Sequence, residues 1–567
     1  MPHINRRLIW SIFIILTVIS NLLNVHVVLA DDPTPTPPPT EEPTQPPVEA
    51  TELPVEPTAT ELPEATPTAE PTAEPTAEPT AEPTTEPTSE DVPATEEAPV
   101  FELVANLPQD TDVVILDENG NPLSLASAEA ATVLVEADPI WCPASQAVPT
   151  PGANGCTTNQ TITSLLTLMR DNTGGAFSQD GIIYLERPGG PGFTTPLILS
   201  DNASSLGSSF TSISTFNMTI QGGWNGNNPG AITGDTNFGK SGPNRGFVQI
   251  GSSGNQWTGN LTLRDITVND NTSTTNPSVA VYTTTGSVTM NDVDVNNADN
   301  SASVHVATNS GNITLGGVDI ADGEDNHGIN VTTNSGTINI NNSSVDNQDD
   351  GNAINVTSNS GSVTLSGVDV DDSGGGNAVN ITTTSGPVTL SDTDVSNQQD
   401  GFTGNILSSS GNISVTGGSA FDGDNTGGDT NQGFTATTST GTISISNTSF
   451  NEAYGASAGT NYNGATLSAP IVTLNSVTAL NNDLNGIAIS NVNQVTLNNV
   501  TAWGNGTDVP GGSGGGAYTN DLGSGVRING NPGSFVSVLD GVYFGNQRYG
   551  IEVFGTSVFI EIGRAHV

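Results

Sequence analysis

The chain has 567 residues, with 10 Lys and Arg against 59 Asp and Glu, which gives a formal net charge of −49. No Lys or Arg occurs between Asp265 and Val526. This balance argues against binding of nucleic acid, anionic lipid or polyuronate by simple electrostatics, and it suits a secreted surface that stays soluble or recruits cations.

The first 30 residues have the pattern of a secretory signal peptide. Arg6 and Arg7 precede an apolar run over Leu8–Ile19, and Ala30 ends a small-residue cleavage site. An uncleaved membrane anchor is the alternative, but the two acidic residues that follow Ala30 favour cleavage. We therefore expect an exported protein, secreted or held at the cell surface, with no further transmembrane segment.

Residues 31–99 consist mainly of Pro, Thr, Glu and Ala, and they include the series PTAEPTAEPTAEPT from Pro71. Such a composition cannot bury a hydrophobic core, so this part is predicted to be a disordered, extended stalk. Repulsion between its carboxylates is expected to stiffen it further.

Residues 100–215 lack the repeat found further along the chain and are predicted to form a small α+β cap. Four apolar residues in this part follow helical spacing: Ile162, Leu165, Leu166 and Met169. Thr161 precedes them as a predicted N-cap, and the segment Gly181–Glu186 has the pattern of a strand. A cap of this kind covers the core and the unpaired backbone that the open end of a stack exposes.

Two cysteines, Cys142 and Cys156, flank a loop rich in Pro and Gly. In an exported protein such a pair is predicted to form one disulfide that closes the loop. A reactive thiol and a metal site are the alternatives, and a metal would require further ligands that this segment does not offer.

Residues 216–560 contain a repeat of about 25 residues. Six glycines mark its period: Gly286, Gly311, Gly336, Gly361, Gly386 and Gly411. A fixed period of this size indicates one supersecondary unit stacked on copies of itself. Apolar residues alternate within each period, which predicts three short strands separated by turn-forming Gly, Asn, Asp and Ser. The Leu scaffold of a leucine-rich repeat is not visible. The predicted fold class is therefore all-β, a right-handed parallel β-helix with three short strands per coil.

Stacking converts the 25-residue spacing into columns of equivalent residues. An inward aliphatic column is predicted at Val288, Ile313, Ile338, Val363, Val388 and Ile413. An outward column, in which amides can hydrogen-bond along the stack, is predicted at His305, Asn330, Asn355, Asn380 and Asn405. The period changes after Gly411. There Phe450 occupies the core register, whereas counting places Phe421 one position off it.

The stretch from Asn217 to Phe559 resembles the right-handed parallel β-helix proteins of the pectate-lyase-like superfamily. Phrases such as GNITLGGVDI and GSVTLSGVDV are most similar in style to bacterial, adhesin-like surface proteins with coils rich in Ser, Thr, Asn and Gly. The polygalacturonase-type set of Asn-x-Asp, Asp-Asp, Gly-His-Gly and Arg-x-Lys motifs is not present as a set. The resemblance therefore implies a fold and a surface location, and it carries over no catalytic residue.

The turn after the second strand is acidic in coil after coil. The resulting set of candidate calcium ligands is Asp322, Glu324, Asp325, Asp349, Asp350, Asp371, Asp372 and Asp400. A second outward acidic column is predicted at Asp294, Asp319, Asp369 and Asp394. Stacked carboxylates repel one another, and a hard cation with oxygen ligands relieves that repulsion, so weak Ca²⁺ binding is one hypothesis. The alternative is that Asp and Asn are simply good turn residues that remain solvated. No cofactor is required by either interpretation.

Two functional hypotheses follow from these patterns. The first is an adhesin-like or envelope-structural module that displays its coils and binds surface glycans or other cell-surface proteins. The second is a polysaccharide hydrolase or lyase, using paired carboxylates such as Asp349-Asp350 or a cleft in the irregular part Ala502–Gly550. In that part six residues break the pattern: Trp503, Tyr518, Arg527, Tyr543, Arg548 and Tyr549. A change of packing at the end of the stack explains the same residues without catalysis.

The last seven residues, Glu561–Val567, have the sequence EIGRAHV. This sequence back-translates to one that resembles a common sequencing adapter. We therefore interpret residues 561–567 as an artefact, with a genuine terminus as the alternative, and we expect the protein to continue beyond Phe559.

Overall fold

The computed structural model describes residues 139–566, apart from gaps at 172–174, 176, 188–192, 240–245, 272–275, 299–301, 324–325, 424–431, 454–461, 507–522 and 556–558. The predicted signal peptide, the predicted stalk and the first part of the predicted cap lie outside the described residues. Their boundaries remain predictions.

The N-terminal elements cover the first edge of the sheet. Strand β1 (Ile140–Pro143) pairs antiparallel with β2 (Gly181–Glu186), and helix α1 (Ile162–Asp171) lies between them in sequence. The four apolar residues of α1 named above are buried, and the Thr161 hydroxyl accepts a hydrogen bond of 3.2 Å from the Ser164 N–H. The predicted helix, its N-cap and the strand are thereby confirmed. Because β2 also pairs in parallel with β4 (Met218–Trp224), both of its edges are satisfied.

The disulfide predicted from the sequence lies beside β1. Cys142 and Cys156 are bonded, with 4.1 Å between their Cα atoms, and both are buried. They pack with Ile140, Tyr184 and Trp224 in a small cluster separate from the main core. The Tyr184 hydroxyl donates to the Gln146 carbonyl at 2.9 Å and ties the closed loop to β2.

Apart from β1 with β2, every pairing between two of the described strands is parallel. A 3₁₀ turn (Gly207–Ser209) and α2 (Phe210–Ile213) lie at the start of this stack. The early strands are β3 (Leu197–Leu199), β5 (Thr236–Gly239), β6 (Val248–Ile250), β7 (Leu261–Asn269), β8 (Val279–Thr283) and β9 (Val288–Ala298). The regular coils contain β10 (Val304–Thr308), β11 (Ile313–Gly323), β12 (Ile329–Thr333), β13 (Ile338–Asn341), β14 (Ser344–Gln348), β15 (Ile354–Ser358), β16 (Val363–Ser373), β17 (Val379–Thr383), β18 (Val388–Gln398), β19 (Gly404–Ser408), β20 (Ile413–Thr416) and β21 (Ala420–Gly423). The late coils contain β22 (Phe434–Thr438), β23 (Thr442–Asn451), β24 (Ala465–Ser468), β25 (Ile471–Leu480), β26 (Ile487–Asn498), β27 (Val500–Trp503), β28 (Val526–Phe544), β29 (Ile551–Phe554) and β30 (Phe559–His566).

Register in the regular coils follows the 25-residue period. Ile338 pairs with Ile313 on one side and with Val363 on the other, and the column continues through Val388 to Ile413. These side chains are at most 1% exposed. The sequence prediction of stacked aliphatic columns is confirmed, and the fold is a long, mostly parallel sheet of β-helix-like repeats.

The first two strands predicted for each coil are mostly continuous. Strands β9, β11, β16 and β18 each run through both, whereas β13 and β14 are separate, as are β20 and β21. The chain bends between the two halves at one residue with a left-handed φ of 48–62°. These bend positions are Asp292, Gly317, Asn342, Gly367 and Asp392. Only Gly, Asn and Asp adopt this conformation readily, which explains the restricted choice at this column.

The prediction for Phe421 was wrong. Phe421 pairs with Val395 before it and with Phe450 after it, so it occupies the core register and is 1% exposed. The chain holds one extra residue here, and Gly417 and Gly418 accommodate it with consecutive left-handed φ values of 78° and 85°. A count based on a fixed period cannot detect such an insertion.

Candidate functional site

The predicted outward acidic column lies on the second half of each long strand. Asp294 pairs with Asp319, and Asp369 pairs with Asp394. Ser344 separates the two pairs, and its N–H and hydroxyl donate to one oxygen of Asp319 at 3.1 and 2.9 Å. We call this column, together with the acidic turns that follow it, the acidic face.

The candidate calcium ligands occupy the turns of the acidic face, but they do not converge. Asp322, Asp349, Asp350 and Asp400 are exposed, and Asp371 is half-buried and accepts a hydrogen bond of 2.7 Å from Ser396. Glu324 and Asp325, and the side chain of Asp372, lie outside what the structure describes. Among the described side chains of this set, no three place a carboxylate oxygen within 4.8 Å of one another. This ligand set therefore remains a prediction.

Three other carboxylates do converge, near the start of the stack. Oxygens of Asp235, Asp265 and Asp292 all lie within 4.8 Å of one another. We call these three residues the acidic triad. Asp265 and Asp292 occupy the bend positions of β7 and β9, with φ values of 56° and 58°, whereas Asp235 directly precedes β5. In the described chain, this is the one group of three potential metal-ligating side chains that meets the distance limit.

The electrostatics of the triad favour proton uptake or a cation. Burial, followed by the charges of Asp292 and Asp265, raises the pKa of Asp235, and the nearby Arg187 partly opposes this. Burial also raises the pKa of Asp294 to about 6, with further contributions from Asp235, Asp319 and Asp292. An ordinary Asp is fully ionised at pH 7, whereas Asp235 and Asp294 are charged only against the cost of burial and the repulsion of neighbouring carboxylates. A bound divalent cation with oxygen ligands would relieve that repulsion.

Sequence reasoning missed the triad for an identifiable reason. Asp265 and Asp292 occupy equivalent positions in the segments NLTLRDITV and GSVTMNDVDV, so the sequence alone is enough to predict that they stack. Asp235 belongs to an irregular coil without a periodic counterpart, and no spacing rule brings it to the bend.

The third strand of each coil presents outward side chains of a different kind. One column contains His305, Asn330, Asn355, Asn380, Asn405, Thr435, Thr466 and Ala488. The other contains Ala307, Thr332, Thr357, Thr382, Leu407, Thr437, Ser468 and Ser490. We call these two columns the uncharged face.

The predicted amide ladder is present on the uncharged face. Asn355 donates to Asn330 at 3.0 Å, Asn380 donates to Asn355 at 2.8 Å, and Asn405 donates to Asn380 at 2.8 Å. Burial, with a smaller effect of His327, lowers the pKa of His305, so the imidazole is neutral at pH 7. The face therefore carries no formal charge at that pH.

In the irregular late part, the residues that break the pattern form two small arrangements. Trp503 stacks on Phe544 at 5.8 Å between ring centroids. Separately, Arg548 and Arg527 lie 3.0 and 3.8 Å from the buried carboxylate of Glu552. Tyr543 points into the core, Tyr549 lies beneath the Arg548 guanidinium, and Tyr518 is outside the described residues. The two arginines thus neutralise the buried charge of Glu552. This agrees with the interpretation that the residues breaking the pattern reflect a change of packing at the end of the stack.

Comparison with protein-family models, with curated proteins and with solved structures gave no match for this chain. Within the residues that the structure describes, no helix has the length and apolar character needed to cross a bilayer. The acidic face, the acidic triad and the uncharged face are therefore the features that bear on function.

Proposed function

We propose that the chain is an exported, cell-surface display and binding module, built as a right-handed parallel β-helix of the pectate-lyase-like, adhesin-like type. In this proposal residues 31–99 form a stalk that holds the stack away from the surface. Surface glycans or other cell-surface proteins are the proposed partners. The observation that carries the proposal is the uniformity of the coils, which repeat the same outward Thr, Asn and Asp positions over a continuous surface.

Uniformity disfavours catalysis for a physical reason. An acid–base mechanism requires one place where two groups are held at distinct pKa values. Asp349-Asp350 and Asp371-Asp372 lie in turns that are acidic in neighbouring coils as well, and no Lys or Arg is near them in sequence to orient an acidic sugar. Repeated display suits a long binding surface instead.

One observation favours the enzyme as a second candidate. The acidic triad and Asp294 lie close together, and within this group the pKa values of Asp235 and Asp294 are raised; such clusters are enriched at active sites. A protonated Asp294 beside ionised carboxylates would be an acid–base arrangement of the kind that glycoside hydrolysis uses. Aromatic sugar platforms for such an enzyme are scarce in the sequence, and no Trp lies between Trp257 and Trp503.

The two candidates are separated by assaying purified protein, from Asp31 onward, on a panel of neutral and acidic polysaccharides. Display predicts no release of reducing ends or unsaturated products, together with retention of the protein on intact cells or on immobilised surface glycans. Turnover that disappears in Asp294→Asn, or in the double variant Asp349→Asn with Asp350→Asn, would establish the enzyme. Thr364→Ala, on the first strand, is the matched control.

We also propose that Ca²⁺ binds weakly to the acidic face and to the acidic triad, of which the triad is the better-formed site. The support is chemical: the site offers several carboxylate oxygens at short range, and burial together with neighbouring carboxylates raises the pKa of Asp235 and of Asp294. The measurement is a thermal melt with millimolar calcium and with chelator at matched ionic strength, because a ligand that binds only the folded state raises its stability.

A further inference from the structure

We propose that the uncharged face packs against the uncharged face of a second copy of this chain. This association goes beyond the display function, because it concerns how one stack meets another and does not depend on which ligand is displayed.

Charge decides which faces of two copies can approach. Each copy has a formal charge of −49 and no Lys or Arg between Asp265 and Val526. Two acidic faces would therefore repel without any compensating cation. An acidic face against an uncharged face would remove carboxylates from water without partners. Contact between two uncharged faces avoids both penalties.

The repeated sequence of the strands on the uncharged face also suits self-association. Strands such as β12, β15 and β17 have the closely similar sequences INVTT, INVTS and VNITT, and they stack parallel and in register. Near-identical strands with an amide ladder are the surfaces that interdigitate with copies of themselves when two sheets pack face to face. Exposed side chains point outward from this face: Thr332, Thr357 and the 45% exposed Leu407.

The first strand is a weaker candidate for the same contact. Its outward threonines, including Thr314 and Thr364, are half-buried, whereas Thr332 and Thr357 on the third strand are exposed. Carboxylates border both strands, with the bend residues Asp292 and Asp392 beside the first and the exposed turn residues Asp349 and Asp400 beside the third, so the difference in exposure decides between them. The third strand is therefore the side on which we place the interface.

The area available matches a stable dimer. The face spans eight strands, from β10 to β26. With strands about 4.8 Å apart and about 3.3 Å per residue along five residues, it measures roughly 38 by 17 Å. Two such faces would bury roughly 1,300 Å², which lies within the range of about 1,200–2,000 Å² of specific interfaces. A two-fold axis lying in the plane between the two faces would make the contact isologous.

The test is sedimentation velocity of the chain from Asp31 onward over a concentration series. We expect the wild type to dimerise reversibly, and more strongly as salt is raised, because at about 0.15 M the Debye length falls to about 8 Å and repulsion between the two copies is screened. Thr357→Asp and Thr357→Lys both place an unpaired charge in the contact. Each is expected to raise the dissociation constant at least tenfold. Thr364→Asp, on the next strand along the chain, adds the same charge outside the contact and should leave the dissociation constant within about threefold of wild type.

Three results would overturn the proposal. One is a wild type that remains monomeric at all concentrations and salt levels. Another is equal weakening by Thr357→Asp and Thr364→Asp. The third is a monomer that is retarded by an uncharged polysaccharide in affinity electrophoresis and loses this retardation in Thr357→Asp, which would make the face a glycan platform. Circular dichroism melts of each variant establish that a change in association does not come from unfolding.

Discussion

Replacing Ile338 by Asp tests the alternation of inward and outward residues on which the stack depends. Ile338 has no exposed surface and pairs with Ile313 and Val363 in the adjacent coils. The change removes an aliphatic side chain whose burial contributes about 1.5–3 kcal/mol. It also places a carboxyl group in a dry column, where even after protonation the unpaired polar group costs about 1–3 kcal/mol.

The sum, on the order of 5 kcal/mol, is as large as the whole stability of many domains. Because each coil contacts only its neighbours, the effect should be greatest in the coils next to Ile338. The assay is hydrogen exchange monitored by mass spectrometry together with denaturant unfolding. Peptides from Ile313–Gly323 to Val363–Ser373 should lose protection first.

Asn339→Asp is the matched control for this variant. It introduces the same side chain one residue later, on the outward side of β13, where a surface change typically costs less than about 0.5–1 kcal/mol. Similar unfolding midpoints for Ile338→Asp and Asn339→Asp would refute the reasoning, because residues 338 and 339 would then not lie on opposite sides of the sheet.

Two further predictions concern protonation and the bend. Burial raises the pKa of Asp294 and of Asp422 to about 6 in the folded state, above their unfolded values. Their protonation therefore favours the folded state, and this stability is lost as pH rises through about 6, so the melting temperature should be higher at pH 5 than at pH 7.5 at constant ionic strength. An unchanged pH dependence in the double variant Asp294→Asn with Asp422→Asn would contradict this assignment. At the bend, Asn342 has a φ of 48°, so Asn342→Val should destabilise by about 1–2 kcal/mol and Asn342→Gly by less than half of that, as measured by denaturant unfolding.

The repeat predicted the regular coils well because one spacing rule and one alternation rule fix them together. A residue such as Ile338 is placed inward by alternation, and its neighbours Ile313 and Val363 follow from the period. The amide ladder from Asn330 to Asn405 follows from the same two rules.

The same rules could not predict features that depend on exceptions to the period. The core position of Phe421 depends on left-handed Gly417 and Gly418, which absorb an extra residue. The small residue at Gly404 also has a tertiary cause, because a Cβ there would lie 2.5 Å from the Phe434 ring. Asp235 joins the acidic triad from an irregular coil, so its position depends on the path of the chain rather than on spacing.

The bend column explains both why carboxylates occur at this place and why their clustering is unusual. A left-handed residue is required in each coil, and Gly or Asn satisfies that requirement without charge. Later coils use Gly317, Asn342 and Gly367, so that Asp292 and Asp392 are four coils apart. At about 4.8 Å per coil this is roughly 19 Å, beyond the Debye length of about 8 Å at physiological salt.

Asp265 and Asp292, by contrast, occupy consecutive coils and have Asp235 beside them. The left-handed bends can be formed by Asp but do not require it, because Gly or Asn also adopts this conformation. The variant Asp292→Asn therefore tests the charge alone, since Asn retains the left-handed bend and removes one carboxylate. We expect Asp292→Asn to melt at a higher temperature than wild type in chelator, because repulsion is relieved, and to lose most of the stabilisation by millimolar calcium. Asp392→Asn, at an equivalent bend without a carboxylate triad, should melt as wild type does and retain the full calcium effect. A calcium effect that is equal in both variants would place cation binding elsewhere on the acidic face, and a lower melting temperature of Asp292→Asn in chelator would show that this carboxylate stabilises the bend instead of straining it.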